Sequence, residues 1–494
     1  MKKITFSIIM LLSVFQLNAQ NYLQQCIKKQ LHNSGNFLVL QYTESRNNIA
    51  HRMNHWSTYH LDIEGELMFS YKGDYILLID SIQLDTQRLG RKVQYWNDYL
   101  LLQHYGKDDW ADIDQSKYNQ MLIETLRYNP AYLLDHFLWR DINKQVPDFE
   151  DKDYVIYNIM IDKTKIQFTI RKSNSLIDNV LVKSDFVSGF GTSLGDVEDI
   201  YSYSGYQQNE DFYFPSLVRI DKTNKHIVDE VKFKLPEEGM ILNLEHIPLD
   251  YKIKNDITIK SKIKTKKYSD HIYLVNLEDD ETNSMLVEFS DFFVALEAPT
   301  SSENGELIIN EAKRISPQKP IKYFIAGHFH PHYLGGVRAF VHKEATILSI
   351  EDNYTYILEQ VNNPHSITPD SLQVEPKPLI FENIDKSEPY IISDGKYEMQ
   401  VIFIGDKSDH TFDYLVFYFP QEKLLYQGDL VFIPQTGEKT KLSKREMSCY
   451  NVIKDYNLQV DTILQAWPIR ENGVKWIFPF SELEQIVNMQ IKAE

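Results

Sequence analysis

The chain has 494 residues, which is enough for two or three domains with separate hydrophobic cores. Hydrophobic residues make up 43% of it, the ordinary share for a globular protein. Its formal net charge of −18 at pH 7 argues against nucleic acid or an anionic membrane as the main partner, because a phosphate-binding surface needs a basic stripe.

The first residues predict export. Two lysines at positions 2 and 3 precede an apolar run over residues 4–15, and Ala19 is a small residue at which a signal peptidase can cut. The run is too short to span a bilayer comfortably, so we interpret residues 1–19 as a cleaved signal peptide, with an uncleaved anchor as the alternative. We see no later apolar stretch long enough to span a membrane, and the expected location is the periplasm or the medium.

The chain contains two cysteines, Cys26 and Cys449. They lie far apart and form neither a CxxC motif nor a zinc knuckle. A single disulfide between domains is conceivable in an oxidising compartment, but we favour two separate buried thiols.

Residues 20–255 are predicted to form a β-rich N-terminal domain. Its apolar segments are rich in β-branched and aromatic residues, alternate in part with polar ones, and are separated by turn residues. This pattern favours a curved antiparallel sheet with helices on one face. Strands are predicted at 36–43, 55–71, 154–161, 165–170 and twice within 195–220, and helices at 23–32 and 118–134, the latter broken at Asn129-Pro130.

An aromatic group in this domain allows two interpretations. It could form a concave face that binds an apolar, peptide or carbohydrate-like ligand, or it could simply pack the sheet, which we favour. Its members are Tyr201, Tyr203, Tyr206, Phe212 and Tyr213.

A lysine-rich polar stretch, residues 252–267, is predicted to be a linker or domain boundary. After it, short buried strands alternate with helices, which indicates a layered α/β domain over residues 265–494. The predicted strands are 272–277, 284–289, 292–296, 321–326 and 346–350, and the predicted helices are 303–315 and 336–342.

A histidine-rich segment follows the strand at 321–326. His328, His330 and His332 occupy alternate positions, so in an extended segment their side chains project to one side. Neutral imidazoles that converge at a strand end commonly bind zinc. Gly335-Gly336 then allows a tight turn before the next helix. A solvated polar loop is the alternative, but the strand before and the glycines after favour a metal site.

Two more candidate ligands lie further along the chain. His410 stands in a loop before the apolar strand at 414–419, and Asp429 follows Gly428 at the end of the next apolar run. An aspartate after a glycine is by itself more often a turn or cap residue. The order of all these residues together favours a metal site.

This succession of motifs resembles the metallo-β-lactamase-fold superfamily over residues 265–494. The family pattern is HxHxDH with two glycines after it, a third histidine in a G-H-T-like loop, a strand ending in Gly-Asp, and a final histidine near the C-terminus. The resemblance implies a C-terminal αββα sandwich and, with the N-terminal β domain, an α+β fold class. It also implies that Glu297, where an aspartate is usual, supports a ligand from behind.

The resemblance assigns roles residue by residue. His328 and His330 fill the first two ligand positions and His410 the third, which leaves a fourth position open for water. Asp429 matches the aspartate that bridges both ions in two-metal members and is a candidate ligand and catalytic residue.

The departures from the family pattern remove nearly all of a second metal position. His332 stands where the motif has its aspartate, and Tyr333 where it has its last histidine. No histidine follows His410, and Trp467 falls near the place of the final one. We therefore expect one ion, with His332 either as an additional ligand or as a general base. Tyr333 either packs the core or donates a hydrogen bond to substrate.

These residues predict an exported metal-dependent hydrolase, mononuclear, that cleaves an ester, amide or phosphoester bond in a small-molecule, peptide or carbohydrate-like substrate. Zn²⁺ is the expected ion. Fe²⁺ is the alternative, because His328, His410 and Asp429 also reproduce a facial set of two histidines and a carboxylate. Two other hypotheses are a degenerate, non-catalytic metal- or ligand-binding accessory protein, and a mononuclear iron oxygenase, which an oxidising compartment disfavours.

Overall fold

A computed structural model describes most of the chain after residue 21. The described ranges are 22–31, 37–49, 53–70, 75–84, 87–96, 99–107, 115–139, 147–185, 193–209, 212–239, 262–278, 282–466 and 473–493. The predicted signal peptide and Trp467 lie outside them. Within these ranges, every helix is too short or too polar to cross a bilayer.

The chain forms two compact units. The first comprises Met1–Ala50, Thr58–Ser184 and Val197–Thr258. The second comprises Ile259–Glu494 together with two short earlier segments, His51–Ser57 and Asp185–Asp196.

A 13-stranded sheet dominates the first unit. Its path runs β5-β4-β3-β2-β1-β12-β11-β10-β9-β8-β7-β6, and β13 pairs with β1. The pairs of neighbouring strands other than β9–β10 are antiparallel, as predicted for this half of the chain. The strands are β1 (Phe37–Ile49), β2 (Thr58–Phe69), β3 (Tyr75–Leu84), β4 (Gln87–Trp96), β5 (Tyr99–Gln103), β6 (Phe149–Glu150), β7 (Tyr154–Ile161), β8 (Thr164–Arg171), β9 (Leu176–Asp185), β10 (Asp196–Asn209), β11 (Phe212–Lys222), β12 (Ile227–Phe233) and β13 (Glu237–Gly239).

The helices of the first unit follow the predicted break. Helix α1 covers residues 22–30, α2 is Gln115–Leu126 and α3 is Pro130–Leu134. Asn129 caps α3 by accepting a hydrogen bond from the backbone N–H of Ala131, and Pro130 takes the first helical position, where its missing N–H costs nothing. These helices and one face of the sheet share a single hydrophobic core.

The aromatic group of the first unit packs this core. Tyr201, Tyr203 and Phe212 are buried in it, and Tyr206 packs against it. Only Tyr213 stays outside that cluster, with its hydroxyl donating to Gln208. The favoured interpretation of these residues as packing residues is therefore confirmed for the buried ones.

The second unit contains two sheets. One has the order β14-β15-β16-β17-β18-β19-β20, the other β21-β22-β23-β24-β25-β26. The lysine-rich stretch predicted as a linker ends in strand β14, which pairs antiparallel with β15, so the linker prediction was wrong for those residues. The strands are β14 (Ile263–Lys267), β15 (Ile272–Leu277), β16 (Thr282–Glu288), β17 (Phe293–Leu296), β18 (Ile321–Ile325), β19 (Thr346–Ser349), β20 (Ile380–Asn383), β21 (Tyr390–Ser393), β22 (Glu398–Phe403), β23 (Leu415–Phe419), β24 (Leu424–Gln427), β25 (Thr462–Gln465) and β26 (Ile477–Pro479).

The side chains of the second sheet belong to two hydrophobic cores, one on each of its faces. Val401 and Phe417 join a core with the seven-stranded sheet and helices α4, α6 and α7. Their neighbours Ile402 and Val416 point to the other side and join a core with α9 and α10. This alternation is the period-two pattern of a sheet covered on both faces. The helices are α4 (Ser302–Ile315), α5 (Pro331–Leu334), α6 (Val337–His342), α7 (Tyr354–Asn362), α8 (Ser371–Val374), α9 (Lys444–Asp455) and α10 (Phe480–Ala493).

Both cysteines are buried free thiols, as favoured from the sequence. Cys26 lies in the core of the first unit and Cys449 in a core of the second.

Candidate metal centre

Three histidines converge in the second unit. His328, His330 and His410 each offer one ring nitrogen, and these three atoms lie within 4.8 Å of one another. Nε2 of His328 lies 3.0 Å from Nδ1 of His330. The exposed fractions of the three residues are 1%, 1% and 8%. Two nitrogens bound to one zinc ion at tetrahedral angles lie roughly 3.4 Å apart. The triad therefore fits one ion of this kind.

The end of strand β18 places the first two histidines. The strand stops at Ile325, the chain bends, and His330 precedes the short helix α5, whose first residue is Pro331. A proline at this position favours a helix start. The expectation that three alternating histidines share one extended face was therefore wrong, because His332 lies inside α5. His332 is half-buried, and it is not among the converging histidines of the described chain.

The glycine pair after the histidines permits close packing rather than an unusual turn. Gly335 and Gly336 have φ of −56° and −88°, which any residue adopts. A Cβ on Gly336 would lie 2.7 Å from Cβ of Ala298, and one on Gly305 of α4 would lie 2.6 Å from the carbonyl oxygen of Gly336. The glycines thus let α4 approach the histidine segment. The prediction that they are needed for a tight turn was wrong, because their backbone angles are open to any residue.

A tight loop positions His410. A 3₁₀ turn, Gly405–Ser408, ends at Asp409, which adopts a left-handed φ of 52°. Aspartate tolerates this region better than most residues. The hydroxyl of Ser408 accepts hydrogen bonds from the backbone N–H groups of His410 and Thr411, both at 3.1 Å. These bonds fix the backbone from which the third imidazole projects.

Asp429 contacts the triad through His410. Its Oδ2 lies 3.2 Å from Nε2 of His410. Its Oδ1 accepts a hydrogen bond of 3.0 Å from the hydroxyl of Tyr414, which in turn accepts one of 2.8 Å from the Asp429 backbone N–H. Burial alone would raise the pKa of Asp429, but the guanidinium of Arg445, together with His328 and His410, outweighs it and holds the pKa well below its usual range. A carboxylate that orients a ligand imidazole is common in metal sites.

Sequence reasoning missed Arg445. Its Nη2 lies 2.5 Å from Oδ2 of Asp429. It stands in the first turn of α9, behind a capping box formed by Ser443 and Glu446. The pattern Ser-x-x-Glu signals a helix start. A basic residue in that first turn opposes the helix dipole and is the signal that could have drawn attention to it.

Glu297 lies behind the first ligand. It is fully buried with a left-handed φ of 63°, and its Oε2 accepts a 3.0 Å hydrogen bond from the backbone N–H of Gly327, next to His328. Burial, with Asp429 and Asp413 nearby, raises the pKa of Glu297 to about 8. A Cβ on Gly327 would lie 2.7 Å from its Oε1, so a larger residue there would have to displace the carboxyl group of Glu297.

Tyr333 packs on the triad. It is fully buried, and its ring centroid lies 4.2 Å from that of His328. Its hydroxyl has no hydrogen-bond partner among the residues that the structure describes. The packing interpretation of Tyr333 fits this position, while the free hydroxyl keeps a donor available beside the triad.

A short segment before β2 contacts both ligand loops. The ring of His55 stacks on Tyr356 at 4.4 Å and meets Phe329, between the first two ligands, edge-on at 4.6 Å. The backbone carbonyl of Met53 accepts a 3.0 Å hydrogen bond from the N–H of Phe412, two residues after His410. Nothing in the sequence points to His55, because no local pattern indicates that this segment joins the second unit.

No family model and no curated protein matches the sequence. Among solved structures, a metallo-beta-lactamase from Pontibacter korlensis is 17% identical, with 46% of this chain and 99% of that one covered and a TM-score of 0.34. FIM-1 from Pseudomonas aeruginosa, in a mono-zinc form, is 16% identical, with 48% and 98% covered and a TM-score of 0.35. DIM-1 metallo-beta-lactamase is 14% identical, with 47% and 99% covered and a TM-score of 0.34. At these values the likeness assigns no residue role, activity or substrate to this chain.

Proposed function

We propose that the protein is a metal-dependent hydrolase that holds one divalent ion, zinc first, in His328, His330 and His410. The buried convergence of three imidazoles carries the proposal. Burial holds the pKa of His328 well below its usual value, so this imidazole is neutral at pH 7 and offers its lone pair. Three protein ligands leave a position open for water or substrate, as in catalytic rather than structural zinc sites.

The chain's own residues support the chemistry around that position. A bound divalent ion polarises a carbonyl or phosphoryl oxygen and lowers the pKa of a water molecule towards neutrality. Asp429 orients His410, and Tyr414 holds Asp429 in place. His332, half-buried and two residues after His330, is the proposed general base, because imidazole exchanges protons near neutral pH. The bond cleaved is an ester, amide or phosphoester.

A specific observation favours a second candidate, a non-catalytic metal- or ligand-binding accessory protein. Both carboxylate oxygens of Asp429 are already engaged, one by Tyr414 and the other by His410 and Arg445. Asp429 is therefore not free to act as the base, and turnover depends on His332 alone. Without proton transfer by His332 the site would bind a metal ion and not turn over a substrate.

Metal content tests the first candidate against the second. The purified chain and the variant His410→Ala would be analysed by mass spectrometry for bound zinc and iron, with His60→Ala as the matched control, because His60 is exposed and pairs with Asp62 in the first unit. We expect about one zinc ion per chain, lost in His410→Ala and kept in His60→Ala. Absence of metal in the unmodified protein contradicts the proposal.

Activity then separates the candidates. Chromogenic ester, amide and phosphoester substrates would be assayed on the zinc-loaded protein and on His332→Ala. Turnover lost in His332→Ala supports the hydrolase. Bound zinc without turnover supports the accessory protein, and bound iron with oxygen uptake supports the oxygenase.

We also propose that the chain is exported to the periplasm or the medium. The basic start, the apolar run over residues 4–15 and Ala19 support this. Sequencing the N-terminus of the mature protein tests it, and the expected first residue is Gln20.

A further inference from the structure

We infer that Arg445 is a substrate-binding residue: its guanidinium supplies the second positive charge of the metal centre and binds an anionic oxygen of the substrate, which makes phosphoesters the substrate class. This inference rests on the proposed function and narrows it. It differs from that function in concerning a residue that is not a metal ligand.

Arg445 lies close to the triad, in contact with the same carboxylate oxygen of Asp429 as His410. One carboxylate oxygen, Oδ2 of Asp429, lies 2.5 Å from Nη2 of Arg445 and 3.2 Å from Nε2 of His410. The guanidinium and a triad imidazole therefore face the same carboxylate. In this arrangement Arg445 neutralises Asp429, as a second cation would.

Arg445 also has hydrogen-bonding capacity that the described residues do not use. Its Nε is buried and has no hydrogen-bond partner within the described part of the chain. Its guanidinium carbon lies 5.4 Å from the centre of the Phe432 ring. A buried N–H without a partner is costly in a protein interior, and a bound ligand removes that cost. The side chain is still 24% exposed, so a ligand can reach it from solvent.

The helix that carries Arg445 gives no reason of its own for a cation there. The residue stands in the first turn of α9, where the macrodipole disfavours positive charge. The neighbouring Glu446 serves the cap of the helix through Ser443. Asp429 and a ligand therefore explain the arginine better than helix stability does.

The charge balance selects the substrate class. The three ligands are imidazoles, and Asp429, the carboxylate in contact with them, is paired with Arg445, so a bound ion keeps a net positive charge. A neutral ester or amide offers the guanidinium only an uncharged carbonyl oxygen. A phosphoester carries anionic oxygens next to the bond that breaks, and the planar fork of arginine matches them.

The reaction that this implies is hydrolysis, and it needs no reactant besides water and the phosphoester. The oxygen of water bonds to phosphorus, the P–O bond to the leaving group breaks, and one water proton ends on the leaving oxygen. Arg445 holds a non-bridging oxygen of the phosphoryl group, and it neither gains nor loses a proton. A carboxylate on a substrate would offer the same anionic oxygens, so the test must separate the two sources.

Binding of inorganic phosphate tests the inference. Titration calorimetry would be done on the zinc-loaded protein and on R445M and R445K, with metal content measured in each. R314M is the matched control, because Arg314 lies on α4 and pairs there with Glu311. We expect R445M to bind phosphate about tenfold more weakly or worse, R445K to lose two- to fivefold, and R314M to be unchanged, all with the same zinc content.

Several results would overturn the inference. One is phosphate affinity in R445M equal to that of the unmodified chain at equal zinc content, and another is a second zinc ion per chain. Acetate binding as tight as phosphate binding, with the same dependence on Arg445, would replace phosphoesters by carboxylate substrates. If R445M does not fold, R445K decides alone, because it keeps the charge beside Asp429 and loses the planar fork. A protein that binds no zinc contradicts the proposed function. The phosphate titrations of the zinc-loaded variants test only the role of Arg445.

Discussion

Two buried polar clusters, one in each unit, differ in how completely their members pair. In the first unit the carboxylate of Glu44 accepts hydrogen bonds from Arg46 at 2.8 and 2.7 Å, from Arg127 at 3.2 Å and from the hydroxyl of Tyr128 at 2.7 Å. In the second unit Oε1 of Glu297 is buried and has no hydrogen-bond partner among the described residues.

The two glutamates accordingly have opposite pKa shifts. Burial would raise the pKa of Glu44, but Arg127 and Arg46 outweigh it and lower the pKa to about 2. Among the described residues no cation does this for Glu297, whose pKa burial raises to about 8. The comparison shows that the charge of a buried carboxyl group depends on the donors and cations around it.

The largest expected effect concerns the paired cluster. Glu44→Ala leaves Arg46 and Arg127 buried without their carboxylate, and we expect it to lower the free energy of unfolding by about 3–5 kcal/mol. Urea denaturation measures this. Zinc content of the folded fraction should not change. Glu64→Ala is the control, because its pair with Arg88 is exposed and is worth less than about 1 kcal/mol. Equal losses of unfolding free energy in both variants would contradict the expected difference between the buried and the exposed pair.

Glu297→Gln sharpens the comparison through pH. The folded pKa of about 8 exceeds the ordinary 4.5. Between these values the unfolded chain releases the proton and the folded one keeps it, so stability is present at low pH and falls as pH rises. In the metal-free protein, we expect the stability of the unmodified chain to fall relative to Glu297→Gln by on the order of 3 kcal/mol between pH 5 and pH 8. Thermal unfolding at several pH values checks this, and a constant difference would contradict it.

Tyr414→Phe probes the pairing of Asp429. The change removes the hydroxyl that donates to Oδ1 of Asp429 and accepts from its backbone N–H. We expect zinc affinity to fall about tenfold, since partners of this kind orient metal ligands. Competition with a chelating dye measures it. Tyr418→Phe, four residues further on in β23, loses a hydrogen bond to the carbonyl of Gln459 and should keep the affinity. A loss of affinity in both would indicate a general effect on β23.

The smallest expected effect is that of His55→Ala. It removes the ring contacts with Tyr356 and Phe329, worth about 1 kcal/mol. Because Phe329 lies between two ligands, we expect a severalfold loss of zinc affinity as well. His60→Ala, exposed on β2, is the control for both the unfolding and the zinc measurements. An unchanged affinity in His55→Ala would show that the segment is only attached to the second unit and does not hold the ligand loop.

Much of the fold was predictable because local patterns decide it. The alternation of apolar residues located Tyr154–Ile161 and Ile272–Leu277 with the bounds that the structure has. The helix break at Asn129-Pro130 follows from the chemistry of proline and of the cap. The lysine-rich strand Ile263–Lys267 was missed, because it is an edge strand whose polar residues give no buried face to recognise.

The candidate site was predictable in part. His328, His330 and His410 lie in short motifs whose order indicates a metal site, and the structure brings them together. The orientation of His332 was not predictable from alternation, because Pro331 starts a helix and ends the extended period.

Local patterns in the sequence were enough to predict most strands, the helix break at Asn129-Pro130 and the motifs that contain the three histidines, because each of these depends on residues close together in the chain. The tertiary structure alone decided that Arg445 and His55 join the site, since each reaches it from a distant segment. It also decided that both carboxylate oxygens of Glu44 are paired, whereas Oε1 of Glu297 has no partner among the described residues. The physical reason is that desolvation and pairing depend on what surrounds a side chain in space, and that is set only when the cores have packed.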